Sequence, residues 1–456
     1  MRAADPSKTM ETASPEARLG EFVADLEYEN LPEEGVDTVT RAVVDTVGVT
    51  LAGTTADAGR RAATAEGIDT DTAAVGELLG VEGTDRPEAA ALRVGTASHA
   101  LDYDDLSWAM DGHPSVALVP PLLALAPETG ASGRDLVTAY AAGFETACAV
   151  AEPVSPGHYE AGWHATATFG TFGAAAAAAN LLGLDTETTA RALTVAASMP
   201  AGLKRNFGSM TKPVHAGLCA RSGVTAARLA SEGVTADPRA VTGEGGFWDL
   251  YGAGADPDPG ALTVGTRWRL CEEGIHVKAY PCCYFTHSAI AAAAELGGEV
   301  DPEAVESVSV TASQGAADAL HHADPETGLE AKFSMEYTVA SGLVRDRVGL
   351  EAFEPDAIDD PAVQRVRERV EFTVDDDMHY DSHGATVRVE TAGGTHERTR
   401  SDPPGTHDDP LSEERFRAKF EECAGSVLEP DGAADLYEAL SALTEVEDVA
   451  AVLAGA

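Results

Sequence analysis

The chain has 456 residues, with 76 acidic against 31 basic side chains and a formal net charge of −45. That sign argues against nucleic acid or an anionic membrane as a partner. The acids are spread along the chain, as in Asp375-Asp376-Asp377, Asp408-Asp409 and Glu421-Glu422, so the whole surface rather than a tail is acidic. Such a surface repels itself in dilute salt and is screened in concentrated salt, which predicts a halophilic protein.

The length predicts two domains. The opening MRAADPSKTMETASPEA is polar, lacks the apolar core of a secretory signal, and reads as a frayed tail over residues 1–15. From about Leu19 to Leu250 apolar residues recur at three- and four-residue spacing, which predicts helices over Val36–Leu51, Ala89–Leu101, Leu136–Val150, Thr166–Leu182 and Ala216–Leu229. Gly53, Gly130, Gly183 and Gly233 read as stops. The Gly170–Ala179 stretch is small all round and predicts a buried central helix. Its apolar run is too short for a membrane span.

Asp256-Pro257-Asp258-Pro259-Gly260 is turn-rich, and strand-type alternation follows it. Strands are predicted over Val305–Thr311 and Val370–Val374, with a hairpin of Ala385–Glu390 and Thr395–Thr399 around Gly393-Gly394. Helices over Thr286–Leu296 and Phe333–Val344 are interleaved with them. Helical spacing returns in Glu413–Cys423, Ala433–Leu443 and Val446–Leu453. The fold class expected is therefore mainly α. A large all-α domain is formed by both chain ends, residues 16–264 and 404–456, around a smaller inserted α/β domain at 265–403.

The six cysteines, Cys148, Cys219, Cys271, Cys282, Cys283 and Cys423, form neither a CxxC pair nor a zinc-type spacing, as in a reduced cytoplasmic protein. No P-loop or Gly-x-Gly-x-x-Gly is present, so no nucleotide cofactor is expected. Lysine is scarce, at Lys8, Lys204, Lys212, Lys278, Lys332 and Lys419. In a chain this acidic an anionic substrate would give the few retained lysines a reason.

Four segments gather groups that are costly to bury. His99-Ala100-Leu101-Asp102-Tyr103-Asp104-Asp105, with His113-Pro114-Ser115 after it, reads as an organic active site, a solvated face or a carboxylate metal site. His99, Asp102 and Tyr103 would share a face if this segment were helical. His164, in GWHATATFG, opens a predicted helix, where its charged form is disfavoured and the neutral ring can act as a base. Phe207-Gly208-Ser209-Met210-Thr211-Lys212, with His215 beyond it, enters another helix through glycine and suits a carboxylate. The Ser-x-x-Lys spacing of Ser209 and Lys212 lacks the companion motifs of serine acylases. The fourth segment, Lys278 to His287 with Cys283 inside it, is followed by Lys332 to Tyr337; Cys283 reads as a packed thiol more readily than as a nucleophile.

The stretches HALDYDD with HPS, GWHATATFG, FGSMTKPVHAG, KAYPCCYFTHS and KFSMEY, in this order, resemble the MmgE/PrpD family from about residue 19 to 450. DPLSEERFRAKF is similar to its C-terminal signature. That family includes 2-methylcitrate dehydratase, cis-aconitate decarboxylase and iminodisuccinate epimerase. The resemblance implies a homodimeric, cofactor-free and metal-free lyase acting on a small polycarboxylate, most closely the dehydration of 2-methylcitrate. It places the active-site aspartate on Asp102, the histidines on His113 and His164, the lysine on Lys212 and a late tyrosine on Tyr337. A second-domain histidine falls on His287 or on the position of Cys283. Lys278, His215 and Ser209 are the other substrate-binding candidates. Two departures stand out: Leu106 occupies the place of the decarboxylase threonine, and one extra residue precedes His113. In the implied reaction Lys212 and Lys278 hold carboxylates. His164 or His113 removes an α-proton, the other histidine or Tyr337 protonates the leaving hydroxyl, and Asp102 orients a histidine.

Overall fold

The computed structural model describes residues 14–83 and 86–456. Most of the expected frayed tail lies outside these residues; Ser14 and Pro15 already belong to α1 (Pro15–Asp25), whose first turn the Ser14 hydroxyl caps by accepting from the Ala17 amide. The chain divides into two compact units. Unit 1 takes the residues up to Ala100, Asp105–Ile275 and Arg417–Ala456; unit 2 takes Leu101–Asp104 and His276–Phe416.

Unit 1 is helical. Its longer helices are α2 (Glu33–Thr55), α3 (Asp57–Ala65), α4 (Pro87–Ser98), α5 (Ser115–Thr129), α6 (Gly133–Ala151), α7 (Ala165–Leu181), α8 (Thr186–Ala196) and α9 (Thr211–Ser231). The small-residue helix α7 is buried on every side from Ala165 to Ala179 and packs against α5, α6 and α9. Small residues set how near the helices come. A Cβ on Gly217 of α9 would stand 2.1 Å from the Leu92 carbonyl of α4, so only glycine permits that approach. Gly53 does not stop α2, which runs on to Thr55. The glycine is required for packing instead, because a Cβ there would lie 1.9 Å from the Ala97 carbonyl.

Helix α5 carries Pro120, Pro121 and Pro127, each of which removes an amide donor. Every residue from Ser115 to Ala126 is buried, and that packing outweighs the lost hydrogen bonds. The segment after the Asp256–Gly260 turns stays in unit 1 as far as Ile275. Buried Arg269 holds it there, bonded to Glu152 at 2.6 Å and Glu145 at 3.4 Å, while the Leu270 amide donates to Glu145 at 3.0 Å.

Unit 2 contains a four-stranded sheet of order β2-β1-β3-β4, made from β1 (Val305–Ala312), β2 (Val370–Val374), β3 (Ala385–Thr391) and β4 (Gly394–Arg400). β1 and β2 are parallel, with Val308 opposite Val370; β3 is antiparallel to β1 and forms the expected hairpin with β4. Val308, Val310, Val387 and Val389 face a core shared with α10 (His287–Gly297) and α11 (Met335–Val344). The chain closes with α12 (Glu413–Ala424), α13 (Pro430–Ser441) and α14 (Val449–Ala454). In unit 1, Lys419 of α12 meets Asp45 of α2 at 2.7 Å in a fully buried ion pair. Among the described residues no helix is long and apolar enough to cross a membrane.

Candidate active site

In unit 1, His113, His99, His164 and His215 form a row of imidazoles. Ring centroids are 4.8 Å apart for His99 and His113, 5.7 Å for His99 and His164, and 5.4 Å for His164 and His215. His164 Nδ1 lies 3.2 Å from His215 Nδ1, so one of these nitrogens donates to the other. His164 Nε2 is buried and has no hydrogen-bond partner among the described residues.

Each ring is placed by its element. His99 follows the last turn of α4, and His164 caps the start of α7. His215 and Lys212 occupy the first turn of α9 at i and i+3, one above the other on the same face. His113 lies just ahead of α5, its amide donating to the Thr166 hydroxyl at 3.0 Å. The 200–206 loop is pinned to the His164 segment by the amide of His164 on the Gly202 carbonyl, 3.1 Å, and by a bridge between Trp163 and Leu203. Gly202, at φ +125°, packs against both histidines: a Cβ would stand 3.3 Å from His164 Cβ and 3.4 Å from His215 Cγ.

The electrostatics follow from burial. His164 is held well below the ordinary imidazole value, first by burial and then by His99, Lys212, His215 and His113. His215 is lowered by burial and by Lys212. Both rings are neutral near pH 7. Lys212 is buried, and its ammonium stands 5.2 Å from the centre of the Phe207 ring, which meets His164 edge-on at 5.0 Å. His113 Nδ1 lies 2.7 Å from the Asp105 carbonyl oxygen, which only accepts. The proton of the neutral ring is therefore on Nδ1 and the lone pair on Nε2. These groups can bind an anion and exchange a proton with it.

Unit 2 gathers a different set. Asp102 has a left-handed backbone, φ +55°, which is uncommon for a residue with a side chain. Lys278 donates to both its carbonyl and its carboxylate, each at 2.9 Å, and Lys332 donates to the Leu101 carbonyl. Burial pulls the Lys278 ammonium down, but Asp102, Asp104 and Cys283 outweigh it and leave the group above its ordinary value. The Cys283 amide donates to the Lys332 carbonyl at 2.9 Å. His287 is buried between the Tyr280 and Tyr284 rings, with Nε2 3.3 Å from the Cys282 carbonyl.

The helix condition for His99, Asp102 and Tyr103 is not met: α4 ends at Ser98 and Asp102 is left-handed. Tyr337 lies in the core of unit 2, its hydroxyl donating to the Ala352 and Ala357 carbonyls. Ser209 is exposed and shapes the entry to α9, donating to the Asn206 carbonyl at 2.7 Å. Of the ten candidates, the structure brings His113, His164, His215 and Lys212 together within unit 1, and Asp102, Lys278 and Cys283 within unit 2. Near these residues but outside the ten candidates are His99, Gly202 and Phe207. His99 and Phe207 stand inside quoted motifs; Gly202 carries no signal of its own.

The model of the MmgE/PrpD N-terminal domain matches residues 17–260, and that of the MmgE/PrpD C-terminal domain matches residues 280–444. The chain belongs to the MmgE/PrpD family. It is 26 % identical to the cis-aconitate decarboxylase of Homo sapiens over 438 residues, which is 93 % of this chain and 90 % of that protein. It is 28 % identical to the cis-aconitate decarboxylase of Mus musculus, over 79 % of this chain and 77 % of that protein. It is 25 % identical to the enzyme of that name in Aspergillus terreus, over 80 % of each chain. All three similarities span most of the MmgE/PrpD chain rather than one motif.

Proposed function

We propose that this MmgE/PrpD member is a lyase acting on a small tricarboxylic acid, and that the reaction is the loss of water from 2-methylcitrate or a close relative of it. The observation that carries the reading is the imidazole row of unit 1, with His99, His164 and His215 buried and Lys212 beside it. Carbanion character next to a carboxylate needs a fixed cation and a base. Lys212 supplies the charge and holds a carboxylate. His164, neutral because it is buried, or His113 through its Nε2 lone pair takes the α-proton, and the imidazolium so formed gives that proton to the leaving hydroxyl. General acid–base action of this kind contributes roughly 10²–10⁴-fold per group. Rings held neutral suit a first step in which a proton leaves carbon.

A second reading is decarboxylation of cis-aconitate, favoured by the names of the three relatives. It uses the same ammonium but needs a protonated acid at carbon, and Leu106 stands where the decarboxylase motif has threonine. The two are separated by incubating the protein in concentrated salt with 2-methylcitrate, citrate and cis-aconitate and following products by NMR. Water loss from 2-methylcitrate is expected; release of CO₂ from cis-aconitate would establish the second reading. No turnover and no deuterium exchange with any acid would remove both.

A further inference from the structure

Behind His113 stand three side chains that this reaction does not use. Asp105, Ser115 and Tyr140 each have no exposed surface. The Ser115 amide donates to Asp105 Oδ1 at 3.2 Å, its hydroxyl donates to Oδ2, and Ser115 Oγ lies 2.6 Å from the Tyr140 hydroxyl. The proton order follows from valence. An ionised carboxylate only accepts, so the Ser115 hydroxyl gives its one proton to Asp105, and Tyr140 must donate to Ser115. Burial, reinforced by the charge of Asp105, holds the Tyr140 phenol well above its ordinary value, which keeps it a donor. The Ser115 amide belongs to the first turn of α5, where a carboxylate is favoured.

The other side of the same residue faces the imidazole row. The Asp105 carbonyl is the group that receives the His113 Nδ1 proton at 2.7 Å. Two bonds from Ser115 anchor the Asp105 side chain and so restrain the backbone that carries the carbonyl. The His113 amide is separately tied to Thr166. Three hydrogen bonds in series thus end on the one contact that decides which nitrogen of His113 carries the lone pair. An apolar trio would fill the same volume at less desolvation cost. The polar one is explained by what it aims.

We propose that Tyr140, Ser115 and Asp105 are positioning residues that fix the tautomer and angle of His113, so that Nε2 is the basic atom turned to the polycarboxylate. This rests on the reading of the imidazole row given above. None of the three touches the reacting atoms; they act through the ring. Their effect therefore belongs in kcat rather than in KM, because a misdirected lone pair fails in the transition state while Lys212 still holds the substrate.

The experiment is nitrogen-15 NMR of the histidine rings in wild type, Tyr140→Phe and Ser115→Ala, with steady-state kinetics on the acid that wild type turns over. In wild type His113 is expected as the Nδ1–H form with a pyridine-like Nε2. Both variants should populate the Nε2–H form and lower kcat about tenfold, a part of what a general base contributes, with KM within about twofold. His158 is the internal control. Its Nδ1 donates to the Tyr251 carbonyl at 2.9 Å and its Nε2 faces the Thr168 hydroxyl at 2.7 Å, so it should keep its form in every variant. The inference is overturned if His113 keeps the wild-type tautomer in both variants, or if the tautomer moves and kcat does not. Loss of the His158 form together with that of His113 would also overturn it, because the three side chains would then hold the fold rather than one ring. Failure of the lyase reading looks different: wild type is silent toward every acid, and the His113 tautomer still answers to Tyr140→Phe.

Discussion

The two units bury positive charge in opposite ways. In unit 1 His164 and His215 are stripped of water and set near Lys212, so burial and repulsion both favour the neutral ring. In unit 2 the Lys278 ammonium is also buried, but Asp102, bonded through its carboxylate and its carbonyl, and Asp104 keep it charged. The first arrangement leaves protons free to move and suits chemistry. The second fixes a charge and spends it on backbone, holding Asp102 in a left-handed conformation and, through Lys332, the Leu101 carbonyl. Burial alone therefore does not say whether a cation works or holds; the partner beside it does.

The largest expected effect breaks the working side of that contrast. His164→Asn keeps a polar side chain at the start of α7 but removes the base, and turnover should fall about 10²–10⁴-fold with the thermal unfolding midpoint little changed. Near wild-type turnover would take proton transfer away from His164. The holding side should answer in stability instead. Lys278→Met removes one partner of a buried ion pair and strands the Asp102 carboxylate, which costs about 3–5 kcal/mol. Denaturant unfolding checks it, and a loss below about 1 kcal/mol would mean that water reaches Asp102. Tyr337→Phe should cost about 1–3 kcal/mol, because the buried Ala352 carbonyl loses its hydroxyl donor, and leave kcat within about twofold. A kcat loss beyond tenfold would return Tyr337 to the chemistry.

Much of this was legible in the sequence. The Ala- and Gly-rich repeats give α2, α4, α6, α7 and α9 within a few residues, since three- and four-residue apolar spacing survives whatever the helix packs on. The β3–β4 hairpin is announced by alternation around Gly393-Gly394. Helix α5 was not among the expected helices: it carries three prolines, and the burial of Ser115–Ala126 outweighs them. The imidazole row was half legible. Lys212 and His215 stand at a helical spacing that any reader can count. His99 is drawn toward His113 and His164 by the end of α4, and Gly202 matters only because His164 and His215 both lie within a Cβ contact of it, facts that appear once the chain is folded. The left-handed Asp102 was hidden for the same reason: its conformation is imposed by lysines far along the chain.

The finest test of the contrast between the units is a titration. Removing a positive charge next to an imidazole makes protonation easier, so Lys212→Gln should move the His164 pKa upward, toward the ordinary value of about 6.5. The direction also fixes the linkage. A histidine whose folded pKa is depressed binds fewer protons folded than unfolded below about pH 6.5, so wild type should lose stability as pH falls through that window, and the variant should lose less. Two measurements therefore have to agree in sign: the His164 shift followed by NMR, and the acid-side fall in the unfolding midpoint. The corresponding change in unit 2 should run the other way. Asp102→Asn removes the charge that holds Lys278 up, and its ammonium should titrate lower. If Lys212→Gln leaves His164 where it was, the ammonium is too well screened to act on the ring, and burial with the neighbouring imidazoles keeps it neutral.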